Sequence, residues 1–193
     1  MGFFQKMWNK KVGGIPAFIF ICVVRVWEVL ASKLTTFFVC KNLNSVGMNV
    51  KIHYGFKYRY PKNIIIGNNV EIGTNVVFSS ELSSGKIAIM DNVVIGRNSR
   101  IDFSGGILIQ EGVLLSEGVI IQTHDHGLDP RSTPVGKSLT IKRNAWLGIN
   151  STVLSNTRII GVNSILAANA LSTKEILDNS IYGGVPAVNI KNI

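Results

Sequence analysis

The sequence predicts a mainly β protein, a parallel β-helix of hexapeptide type behind an apolar helical segment. Three observations predict it. An apolar residue returns every sixth position, as Ile95, Ile101 and Ile107, then Ile109, Leu115 and Ile121, then Ile141, Leu147 and Val153. Gly or Asn stands at fixed offsets behind it, as in Ile66-Gly67-Asn68-Asn69-Val70 and Ile72-Gly73-Thr74-Asn75-Val76. Between Thr123 and Leu139 the rhythm gives way to a polar, Pro-containing excursion that holds His124-Asp125-His126. A period of six excludes an amphipathic helix, which repeats at three to four, and an ordinary strand, which repeats at two. It fits short flat strands joined by tight corners, where Gly and Asn tolerate positive φ. Three hexads make one triangular coil, and about ten hexads give roughly three to four stacked coils around an Ile/Leu/Val column.

The elements follow in order. Residues 1–45 form a basic and apolar segment. Phe3, Phe4, Met7 and Trp8 mix with Lys6, Lys10 and Lys11 and are followed by an apolar run from Ile15 to Val24. Residues 15–39 read as a helix, with a break near Thr35-Thr36. Arg25 and Glu28 interrupt the run, so a simple transmembrane helix is not expected. Residues 46–182 form the β-helix. Its start, residues 44–63, interleaves Tyr54, Phe56, Tyr58 and Tyr60 with Lys57, Arg59 and Lys62 and reads as a first, irregular coil, with His53 structural. Ser79–Lys86 interrupts the hexads, residues 123–139 form the extruded loop, and the phase slips by one residue before Ile160. Residues 183–193 follow Gly183-Gly184-Val185-Pro186 as a C-terminal tail.

Charge separates the two parts. The chain of 193 residues has a net charge of +9. Residues 1–63 hold ten Lys/Arg against one acid, Glu28, whereas residues 64–193 hold ten of each. The basicity therefore belongs to the N-terminal third, which favours an anionic partner such as a membrane surface or an acidic glycan. Aromatics beside lysines point to a helix lying in a membrane interface, ahead of a helix packed on the coils or an oligomer contact. Nucleic acid is not expected, because charge is the sole support. Cys22 and Cys40 lie in apolar surroundings without metal-type spacing and read as free thiols in a reducing compartment.

The hexads, the His loop, Trp146-Leu147-Gly148, Ser172-Thr173-Lys174 and Gly184-Val185-Pro186-Ala187 together resemble the hexapeptide-repeat acyltransferases. Within them the chain looks most like the O-acetyltransferases of sugars and surface polysaccharides, of the maltose, galactoside and colanic-acid type. The resemblance covers roughly residues 64–190. It implies a left-handed β-helix, a homotrimer, acetyl-CoA as acyl donor bound between neighbouring subunits, a sugar or glycan acceptor, and a cytoplasmic enzyme, peripheral to the inner membrane if residues 1–40 bind lipid. It makes His124 the general base and places Trp146 beside the pantetheine arm, Ala168 against the cofactor through its backbone, and Thr173 and Lys174 near the nucleotide. Asp102 falls near the family's substrate-contacting Asn. Val188 stands where the family often has a base, and Lys191 is the substitute for phosphate contact.

Acetyl transfer to an alcohol needs a base, an oxyanion donor and held reactants. Imidazole suits the base, with His124 ranked first and His126 second. Asp102 and Asp129, and less so Asp125, are the carboxylates that could orient His124. A backbone N–H near Gly148 is the expected oxyanion donor. Two other readings compete. A zinc protein like the gamma carbonic anhydrases needs three histidines in a spacing that His53, His124 and His126 do not match, so no metal is expected. A non-catalytic β-helix scaffold is the other, and the presence of the His loop weighs against it.

Overall fold

The computed structural model describes residues 14–193. It is a left-handed parallel β-helix with one helix against its N-terminal end. Each coil contributes one short strand to each of three sheets. The first sheet stacks Ser45–Val46, Ile64–Ile66, Ile87–Ile89, Ile107–Ile109, Leu139–Ile141 and Ile159–Ile160. The second starts at Lys51–Ile52 and Glu71–Ile72, passes through Trp146–Leu147, and ends at Ser180–Gly183 and Val188–Asn192. The third runs from Lys57–Tyr58 through Val77–Ser79, Arg100–Asp102, Ile120–Ile121 and Thr152–Val153 to Leu171–Ser172. The coils number six, with a partial seventh, rather than three to four. Residues 44–63 supply a full first coil, since Val46, Ile52 and Tyr58 keep the spacing of six although Lys51 and Lys57 disguise it.

In-register stacking places equivalent side chains above one another. Ile72, Ile95, Leu115, Leu147 and Leu166 form one fully buried column, and Phe78, Ile101, Ile121 and Val153 form another. Burying each such side chain contributes roughly 1.5–3 kcal/mol before entropy is charged against it.

The helix spans Gly14–Asn42 without a break. Thr36, where a break was expected, faces the first coil instead. Its hydroxyl donates to the Ile52 carbonyl and accepts the Ile52 N–H, each at 2.9 Å. Lys62 Nζ donates to the Asn42 carbonyl at 2.9 Å, a cation on the helix C-terminus. Only the last turns pack closely, through Val39 and then Leu43. Phe20, Val23, Trp27, Leu30, Leu34 and Phe38 form an exposed apolar stripe, with Trp27 at 67% and Phe20 at 68%. No described helix is long and apolar enough to cross a membrane. The aromatic-basic cluster at Phe3–Lys11 lies outside the described residues. At the other end, residues 183–193, expected as a tail, fold back so that Val188–Asn192 pairs antiparallel with Ser180–Gly183.

Candidate active site

The third sheet feeds a corner where the regular coil is repeatedly interrupted. Chain leaves the sheet there after Ser79, after Asp102 and after Ile121. In the longest of these excursions, His124–Asp125 pairs antiparallel with Val135–Gly136, so the loop 123–139 is a hairpin. Lys137 N–H returns to the Thr123 carbonyl at 2.7 Å, and Lys137 Nζ holds Asp125 at 3.0 Å and Asn156 at 2.6 Å. Its histidines therefore stand on a braced element.

Asp102, buried at 8% exposure, organises the site. One carboxylate oxygen accepts Ser104 Oγ–H. The other accepts Thr123 N–H at 2.9 Å and His124 Nδ1–H at 2.9 Å. Thr123 Oγ1 lies 3.0 Å from that oxygen and 2.9 Å from the Asp102 carbonyl. Burial pushes the Asp102 carboxyl up, but the bonds from Ser104, Thr123 and His124 outweigh it and hold the group below its ordinary value. Asp102 is thus an ionised acceptor. It fixes His124 as the Nδ1–H tautomer and leaves the Nε2 lone pair outside the Asp102 network, facing Glu81. Of the three carboxylates considered for this task, Asp102 performs it. Asp129 instead accepts Arg131 N–H at 2.9 Å in the loop turn, and Asp125 binds Lys137.

His126 stands beside His124, ring centroids 5.2 Å apart and nearly perpendicular. Its Nδ1–H donates to the Ser132 carbonyl at 2.8 Å, so its Nε2 is also unprotonated in the neutral ring. Sequence reading missed Glu81, which lies on the Ser79–Lys86 interruption. Its carboxylate is 3.6 Å from His124 Nε2 and 3.4 Å from His126 Nε2. The Glu81 N–H donates to Ser104 Oγ at 2.8 Å, which links its backbone to the Asp102 network. Counting hexads gives the signal that could have found it: the breaks after Ser79, Asp102 and Ile121 fall on one corner of successive coils.

The residues expected at the acyl donor lie elsewhere. Trp146 is on the second sheet, across the prism from the His corner, half exposed at 45%, with Nε1–H donating to Ser116 Oγ at 2.9 Å. Gly148 follows it, and a Cβ there would come within 2.5 Å of the Ala168 nitrogen. Its own N–H donates to the Leu166 carbonyl at 2.7 Å and so belongs to the ladder. Ala168 is exposed at the corner after the second sheet. Lys191 is exposed on that sheet's last strand. Thr173 and Lys174 follow the third sheet's last strand, on the His corner but two coils further along. One chain therefore assembles His124, His126 and Asp102 together and keeps Trp146, Gly148 and Lys191 on another side. His53 is remote from both sets and pairs with Glu71 at 3.1 Å. A cavity of about 940 Å³ lies between the helix and the first coils, lined by Arg25, Lys33, Lys51 and His53 among others, away from this corner.

No family model matches the chain. It is 30% identical over 151 residues to WbbJ of Escherichia coli, a protein named for lipopolysaccharide biosynthesis O-acetyl transfer, covering 69% of this chain and 76% of that one. It is 26% identical over 149 residues to the galactoside O-acetyltransferase of Escherichia coli, covering 77% of this chain and 64% of the relative. The chain spans between about half and two thirds of the length of the galactoside enzymes it matches. Among solved structures, the N-acyltransferase AntD of Bacillus cereus, in complex with dTDP and 3-hydroxybutyryl-CoA, is similar at TM-score 0.70 and 24% identity. That match covers 79% of this chain and 84% of AntD and speaks to the fold.

Asp102→Asn tests the network. An amide offers one acceptor oxygen where the carboxylate offers two, and its NH2 would face a donor. The variant is expected to lose about 1–3 kcal/mol of stability near neutral pH, the usual cost of a buried polar group left unpaired. The sign with pH follows from the lowered value of Asp102. Wild-type stabilisation is complete above the ordinary aspartate pKa of about 3.9 and is lost as pH falls through the lower folded value. Urea midpoints measured across pH check this, with the gap between the two proteins closing in acid.

Proposed function

The chain belongs to the hexapeptide-repeat O-acetyltransferases, and on that premise we propose that it moves an acetyl group from acetyl-CoA to a sugar hydroxyl, in the assembly of a surface polysaccharide or another glycan. The single observation that carries this reading is the Asp102–His124 pair at 2.9 Å, which leaves Nε2 outside that bond on a braced hairpin. The acceptor hydroxyl comes to His124 Nε2. As its oxygen attacks the thioester carbonyl, the proton passes to Nε2, and ionised Asp102 stabilises the resulting imidazolium. The tetrahedral intermediate collapses, the C–S bond breaks, and the imidazolium returns the proton to the departing CoA sulfur. The ester and free CoA thiol are the products. His126 is a neighbour of this chemistry and not its base, because its Nδ1–H goes to the Ser132 carbonyl and not to a carboxylate that would stabilise an imidazolium.

The donor occupies a groove between copies of the chain. Trp146 flanks the pantetheine arm, Gly148 and Ala168 let the chain approach closely, and Thr173, Lys174 and Lys191 meet the nucleotide end. The placement of Trp146 across the prism from His124 supports a homotrimer, in which the His corner of one subunit faces the Trp146 side of the next. The helix supports a peripheral association with the inner membrane from the cytoplasmic side, its stripe of Phe20, Trp27 and Leu34 entering the lipid interface with Arg25, Lys33 and Lys41 at the headgroups.

Release of free thiol from acetyl-CoA with candidate sugars tests the activity. His124→Ala is expected to leave the fold and CoA affinity intact and to lower turnover by roughly 10²–10⁴-fold, with His126→Ala costing much less. Retained turnover in His124→Ala with loss in His126→Ala would exchange the two roles. Sedimentation is expected to give a trimer at micromolar concentration, and an active monomer would contradict the shared groove. In flotation, the full chain is expected to rise with anionic liposomes and a chain lacking residues 1–40 to stay below; equal behaviour would assign the stripe to protein contacts.

A further inference from the structure

Glu81, His124 and His126 present an arrangement that acid–base chemistry does not use. Each imidazole gives its Nδ1–H to a fixed acceptor, Asp102 for His124 and the Ser132 carbonyl for His126. In the neutral rings both Nε2 atoms are therefore bare. The Glu81 carboxylate faces them at 3.6 and 3.4 Å. Three acceptors converge with no donor among them. Such a set is relieved by a proton on one ring or by a cation held among all three.

We propose that these three side chains bind a zinc-class divalent cation, and that its binding excludes His124 from acting as a base. One ligand atom from each residue lies within 4.8 Å of the other two. Zinc bonds of about 2.0–2.2 Å in a tetrahedron set neighbouring ligand atoms about 3.3–3.6 Å apart, which matches Glu81 Oε1 at 3.6 Å from His124 and Oε2 at 3.4 Å from His126, and the cluster's remaining spacings within 4.8 Å close by side-chain rotation. Two imidazoles and one carboxylate form a borderline donor set that suits zinc or cobalt and leaves a fourth position open, whereas calcium and magnesium prefer oxygen alone. A carboxylate or carbonyl behind each ring is the outer-shell support that orients ligating histidines. Ser104 receives the Glu81 N–H and donates to Asp102, so the third ligand is tied to the same support. Sequence reading set metal aside because it counted histidines, and the third ligand is a glutamate from a coil two turns earlier than the His loop.

The bound cation takes the Nε2 lone pair that acetyl transfer needs, so the site makes the enzyme reversibly sensitive to free zinc. The exclusion rests on the transferase reading, whereas binding does not, and the experiment separates them. The full chain, stripped with chelator, is titrated with Co²⁺ and read by visible absorption. Low-coordinate Co²⁺ bands are expected, bleached when Zn²⁺ displaces the cobalt. Glu81→Gln and His126→Ala are each expected to weaken Co²⁺ binding by at least the ~10–100-fold that loss of even an outer-shell partner causes. Zn²⁺ over its binding range is expected to stop thiol release, and chelator to restore it. Absent bands in the wild type, or bands of unchanged affinity in both variants, overturn the site. Bound Zn²⁺ with unchanged turnover overturns the exclusion. Normal Co²⁺ binding in a chain that releases no thiol with any sugar supports the site and refutes the transferase reading.

Discussion

The left-handed corner is the constraint on which this molecule depends. A coil returns to its own register only if the chain turns sharply after each strand of two or three residues, and such turns call for positive φ. Asn pays less for that conformation than other side chains do. Asn49, Asn69, Asn92, Asn144 and Asn163, among others, adopt it with φ between 52 and 59. Their amides also stack from coil to coil: Asn49 donates to Asn69 at 3.0 Å and Asn69 to Asn92 at 3.1 Å. The residues that permit the turn thus also join successive turns. Local conformation and long-range order come from the same side chains, which is the agreement between levels that a unique fold requires.

Regular corners explain why the excursions can be chemically exact in placement without a large core beneath them. Ser79 pairs in register with Asp102 on the third sheet, and Ile121 lies beside Ile101. Each excursion therefore leaves from a fixed height, one coil above the last. Asp102 then needs no loop of its own to reach His124. It ends a strand, and the histidine hairpin starts just beyond the strand stacked on it. A base held by a buried carboxylate on such a frame loses little freedom when substrates arrive, so less of the barrier has to be met by ordering the enzyme.

Much of this was legible in the sequence. The period of six fixed the β-helix, and the place where it failed identified His124 and His126. Asp102 was legible, with Asp129 and Asp125, as a carboxylate that could orient His124, but the choice among them was not, because hexads convey the height of a residue on the stack and not the direction of a side chain at the end of a strand. Glu81 was legible only through its segment: hexad counting puts the Ser79–Lys86 break on the corner of the His loop, but the segment has no repeat of its own to say which of its side chains meets the histidines. The first coil was legible as a coil but not as a regular one, because the outward side chains of Lys51 and Lys57 erase the apolar signature while Val46, Ile52 and Tyr58 keep the spacing. The helix extends past Thr35-Thr36 because tertiary bonds from Thr36 to Ile52 override the weak helical preference of Thr.

A stack of flat coils has two open ends, each a potential template for another copy. At one end Thr36 satisfies both backbone groups of Ile52, and the helix lies over the first coil. At the other, Val188–Asn192 runs antiparallel to the strand it covers and brings Lys191 to the rim. Among the described residues, the second sheet therefore offers no free parallel edge in the register of the coils at either end. Adding molecules along the axis is disfavoured on that face, and a protein built on the same principle as a filament is steered toward association sideways.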